Sequence, residues 1–127
     1  MKVEIHRTDA RGNFARTLFP QKVTFRGRSF VIPKGFDFDG ASVPKIFWIS
    51  IFAPLDPQAV RAACDHDWIY RHQPAGWTRR DADLVFLCFL LEDGVPPRKA
   101  FLAYRGVRLF GWIAWRKNRR LLEEARR

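Results

Sequence analysis

The sequence is short of cysteine and of acidic residues, and it contains no long apolar run. Two cysteines, Cys64 and Cys88, in 127 residues cannot make a disulfide framework and suit a reducing compartment. The opening segment, MKVEIHRTDARG, lacks an apolar core of signal-peptide length, so no secretory leader is expected. Internal repeats are missing, which excludes a solenoid. Neither a GxGxxG nor a Walker loop occurs, and so no phosphate cradle of those kinds is expected. The three histidines and two cysteines are scattered, whereas a zinc site needs about four nitrogen or sulfur ligands. Phe101 to Trp115 is apolar but holds Arg105 and Arg108, and it falls short of the ~20 apolar residues of a membrane span.

What is present is an aromatic, basic chain of single-domain length. Hydrophobic residues make up 47% and aromatics 15%, with 12 Phe and 5 Trp, which predicts an ordered core rather than disorder. Lys and Arg total 23 against 13 Asp and Glu, a net charge of +10. Residues 98–127 alone hold ten basic and two acidic residues, a net +8. A polyanion, an anionic membrane surface or an acidic protein would each answer such a face, and so would plain solvation. Arg105, Arg108, Arg116, Lys117, Arg119 and Arg120 form the candidate basic surface. Trp77, Trp112 and Trp115 near arginines add a nucleic-acid reading, although no recognised binding motif accompanies them.

The order of elements predicts an α+β domain. Residues 1–53 read as strand and loop, 54–115 as a helical core, and 116–127 as a basic tail. Lys2–His6 alternates, and Lys22–Phe25 with Ser29–Ile32 flank Arg26-Gly27-Arg28 as a hairpin. Residues 36–44 look like an ordered, partly buried loop. Asp56-Pro57 starts a helix that ends near His72, before Pro74-Ala-Gly76. Thr78 and Asp81 resemble a capping box opening a second helix, which stops at Asp93-Gly94. Pro96-Pro97 introduce a third helix that continues into the basic tail, read either as a core helix with its arginines outward or as an interfacial helix lying on lipid. Gly106 and Gly111 suit a close approach by another backbone.

Chemistry concentrates on the first two helices. His66 shares a face with Ala62, Ala63 and Tyr70, while Asp83 heads the stripe Phe86, Leu87 and Leu90. A carboxylate on an apolar stripe needs a partner, and antiparallel helices joined by a short loop bring Asp83 to His66. Such a pair is either a structural pin or a general base with its tautomer fixed by the acid. Asp67 points elsewhere and is able to join Asp39, Asp37 and loop carbonyls around a hard cation such as Ca²⁺. Both cysteines read as core residues.

Phe38-Asp-Gly-Ala-Ser-Val-Pro44 with Phe47-Trp48, Ala62-Ala63, His66-Asp67, Tyr70, Arg80, Ala82-Asp83 and Phe86 resemble domain of unknown function family 1353. That resemblance implies a small protein of tailed phages and prophages, made in the host cytoplasm and carried in the virion among other virion proteins. In that context a tail, baseplate or head-completion role is the expectation. The string AxxHDxxY, followed by a helix with Asp three before Phe, is also similar to the paired helices of bacterial-type secreted phospholipase A2. Asp39-Gly40-Ala41-Ser42 echoes the loop upstream in those enzymes. This second resemblance implies that His66 activates water, Asp83 orients it, and Asp39 and Asp67 hold Ca²⁺. Tyr70, Ser42 and Asp81 are expected to support that site. The disulfides of those enzymes are missing.

Overall fold

The computed structural model describes residues 2–8, 12–38 and 57–127. Five strands come first: β1 (Val3–Thr8), β2 (Gly12–Thr17), β3 (Gln21–Phe25), β4 (Arg28–Ile32) and β5 (Asp37–Phe38). They form an antiparallel sheet ordered β1-β2-β5 and a separate β3-β4 hairpin. Among the described residues three helices follow: α1 (Val60–His72), α2 (Arg79–Glu92) and α3 (Pro97–Ala125). The domain is α+β, with its sheets before its helices.

The hairpin turns on Arg26 and Gly27, both at positive φ (51° and 76°). That is the backbone twist a two-residue β-hairpin turn requires. β2 was not legible as a strand because Gly12-Asn-Phe-Ala-Arg-Thr17 has little β-branched alternation. It is held instead by neighbours on both sides: β1 pairs along its whole length, and β5 pairs at Ala15 and Arg16. Thr17 then secures the chain that leads to β5. Its hydroxyl donates to the Pro33 carbonyl at 2.9 Å and accepts from the Phe36 N–H at 2.9 Å.

The helical half follows local sequence rules closely. Thr78 and Asp81 form a reciprocal capping box at the start of α2, and each side chain accepts the other's backbone N–H. α1 ends with Gln73 in the left-handed region, and Gly94, at φ 94°, turns the chain after α2. The start of α1 differs from expectation: residues 57–59 form a turn and the helix begins at Val60, with Asp56 outside the described residues. α3 continues into the basic stretch beyond Trp115 and ends at Ala125.

The core gathers Ala15, Val23, Ile32 and Phe38 from the strands against Ile69, Tyr70, Val85, Phe86 and Leu90 from α1 and α2. α3 meets them with small side chains, Ala100, Ala103, Gly106, Val107 and Gly111, all buried. At Gly111 the close neighbour is a side chain, the Tyr70 phenol, rather than the backbone expected. A Cβ placed on Gly111 would lie 3.1 Å from Tyr70 Cζ and closer still to its hydroxyl. Gly→Ala inside a helix ordinarily stabilises by ~1 kcal/mol. Here we expect Gly111→Ala to lower stability by ~1–3 kcal/mol through overpacking, read as a lower urea midpoint.

Candidate functional site

Asp83 sits in the first turns of α2 and is fully buried, facing α1 and α3. Its Oδ1 meets His66 Nε2 at 2.8 Å and accepts from the Tyr70 hydroxyl at 2.7 Å. Oδ2 accepts from Arg108 Nη1 at 2.7 Å and from Arg79 Nη1 at a longer 3.4 Å. Arg79 also donates to the Val107 and Arg108 carbonyls, at 3.1 and 3.3 Å. One carboxylate thus collects donors from all three helices. Burial pushes Asp83 up, but the hydrogen bonds from His66, Tyr70 and Arg108 outweigh it and hold the group below its ordinary value.

Local sequence explains this convergence. His66 and Tyr70 are one turn apart on α1, so both rings reach the same side, with centroids 4.2 Å apart. Arg79 and Asp83 are likewise one turn apart on α2. Arg108 was expected to point outward with the other arginines of α3, and instead it turns in. An anion buried between helices draws the nearest guanidinium, and α3 supplies it. Arg79 and Arg108 were not assigned to this cluster from sequence; the one available signal was the arginine one turn before Asp83.

The other described residues expected at the site have partners of their own. Asp67 is buried on α1, with Arg71 Nη2 at 4.0 Å. Asp37 is occupied by a cross-strand arginine: Arg16 Nε and Nη2 donate to its two oxygens at 2.7 and 3.1 Å. Asp39 and Ser42 lie outside the described residues. Asp81 serves the capping box and pairs with Arg28 Nη2 at 3.2 Å. Among the described residues no three His, Cys, Asp or Glu side chains come together to hold a metal. Arg105, Arg116, Lys117, Arg119 and Arg120 are exposed on α3. Of the tryptophans, Trp77 is buried beneath Arg28, Trp115 is half-buried beside Tyr70, and Trp112 is exposed.

The chain matches the DUF1353 family, described as a protein of unknown function, over residues 15–107. It belongs to that family. The match takes in His66, Tyr70, Arg79 and Asp83, and it stops one residue before Arg108. The uncharacterized protein y4jT of Sinorhizobium fredii (strain NBRC 101917 / NGR234) is 32% identical over 85 residues, 67% of this chain and 25% of that protein. The chain thus spans about a quarter of the length of this curated relative. No solved structure matches it.

Two buried groups stand outside the cluster. Burial pushes the Cys64 thiol up, which leaves little nucleophilic thiolate. Asp65 accepts from Gln21 Nε2 at 2.7 Å through Oδ1, and its Oδ2 has no partner among the described residues. Burial pushes Asp65 up to about 8, against an ordinary 3.8. Between those two values the folded chain keeps a proton that the unfolded chain has lost, so stability falls as pH rises across that window. Asp65→Asn should raise the melting temperature above pH 8 and leave it unchanged near pH 4, as thermal melts across the pH range would read out.

Proposed function

We propose that this chain is a non-catalytic assembly component whose Asp83 cluster is a structural clamp. Following its family resemblance, we place it among the tail, baseplate or head-completion proteins of phages or prophages. The observation that carries the clamp is the saturation of Asp83 by four donors from three helices, two of them guanidiniums. A carboxylate that serves a histidine base stabilises the imidazolium formed during reaction through its own charge. On Asp83 that charge is already met by Arg108 and Arg79. His66 is itself buried, at 1% exposure, and packs between Tyr70 and Phe86. Three helices fastened at one point suit a part that must hold its shape while a neighbour docks on it.

A second reading has one observation in its favour. His66 uses Nε2 for Asp83, which leaves its other ring nitrogen as the one to activate a water, and Tyr70 steadies the same carboxylate oxygen. That is the arrangement the resemblance to phospholipase A2 implies for hydrolysis of a lipid ester.

Two variants separate the readings. Asp83→Asn removes the negative charge from beneath two partly exposed arginines and should cost ~2–4 kcal/mol, or roughly 10 °C in melting temperature. His66→Gln keeps a donor toward Asp83 and should cost less than half as much. Wild-type protein is expected to release no fatty acid from mixed phospholipid vesicles, with or without Ca²⁺, and to be present in fixed stoichiometry in purified virions. Fatty-acid release that His66→Gln abolishes without loss of fold would overturn the clamp in favour of hydrolysis.

A further inference from the structure

The 29-residue α3 is apolar on two faces, and one of them has nothing against it among the described residues. Its inner face, built of alanine, glycine and valine, is buried. On the outer side Phe101, Leu102, Leu109, Trp112 and Ile113 are exposed, Leu109 at 66% and Ile113 at 54%. At 3.6 residues per turn these five fall within an arc of about 120°, opposite the buried stripe. A surface helix ordinarily turns charged or polar residues that way. Exposed apolar side chains clustered on one ridge mark a place where something binds.

The charges on that ridge select the partner. Arg98, Arg105 and Arg116 lie within the same arc, Arg119 and Arg120 extend it by a turn, and all five are exposed. Glu123 is the lone acidic residue along that side. A second copy of the chain would set these arginines against their equivalents, which like-charge repulsion opposes. A single convex helix also offers no groove for an inserted side chain. A fluid anionic surface needs none: aromatic and aliphatic side chains enter the headgroup boundary while arginine stems reach up to phosphates. Trp112 with Arg116 above its ring at 5.9 Å already pairs the two elements such a surface takes.

We infer that the outer face of α3 is a docking surface for an anionic lipid membrane, with Leu109, Trp112 and Ile113 entering the interface and the arginines on lipid phosphates. The helix lies along the surface and does not cross it, for no helix among the described residues is long and apolar enough to span. The bundle stays intact, because the face that docks is the one pointing away from Asp83. This surface is independent of whether the Asp83 cluster is a clamp or a catalytic pair.

The test is co-sedimentation of the full chain with vesicles of phosphatidylglycerol and phosphatidylcholine in a one-to-three ratio, against phosphatidylcholine alone. Wild-type protein should sediment with the anionic vesicles at least about tenfold better, and less as ionic strength rises. The double variant Leu109→Glu/Ile113→Glu and the double variant Arg105→Glu/Arg116→Glu should each lose at least about tenfold in binding, with melting temperatures unchanged. Absence of binding to anionic vesicles, or full binding by the variants, overturns the inference. So does a dimer by light scattering that Leu109→Glu/Ile113→Glu dissolves, or binding to duplex DNA tighter than to vesicles.

Discussion

A carboxylate with no exposed surface organises the helical half of this domain. An ionised Asp taken from water is costly unless its lone pairs and its charge are both answered. Asp83 has both answered: a phenol and an imidazole on one oxygen, two guanidiniums on the other. Each donor comes with a helix attached, so the demand of one anion dictates how α1, α2 and α3 must meet. Arg79 extends the same logic to the backbone by capturing carbonyls in the middle of α3.

Consequences run outward from that point. Tyr70 reaches Asp83 with its hydroxyl end against α3, and Gly111 leaves the space for it. The rest of the inner face of α3 is small for the same reason, since helices that approach closely exclude large side chains. The large apolar residues of α3 then stand on its outer side. An exposed aromatic and aliphatic ridge among arginines is thus the counterpart of a tight inner seam, and it gives the domain a surface separate from its buried polar cluster. That separation leaves the outer face of α3 exposed while the buried cluster keeps its partners.

Asp65, two residues before Asp67 on α1, shows what happens where such compensation is incomplete. Among the described residues its side chain has one hydrogen bond, from Gln21, and burial drives it toward the neutral acid. Asp83, equally buried, is driven the other way. Burial alone therefore says little about the charge of an acid in this fold; the count of donors around it decides.

Much of the helical architecture was legible because it rests on local rules. The Thr78–Asp81 capping box, the Pro74–Gly76 break, the Gly94 stop and the Arg26-Gly27 turn are written in neighbouring residues, and each appears where its chemistry places it. The meeting of His66 with Asp83 was legible too, from a carboxylate on an apolar stripe opposite a histidine. The strand at Gly12–Thr17 was not, since its partners rather than its own residues make it a strand. Nor was the inward turn of Arg108: an arginine 25 residues from Asp83 has no local mark separating it from Arg105 or Arg116. Sequence by itself determined which segments are helices, where α2 begins, where α1 and α2 end, and which residues carry charge. Tertiary structure alone decided which arginines meet a buried anion and which stay exposed, because that choice depends on distances across helices that no single segment encodes.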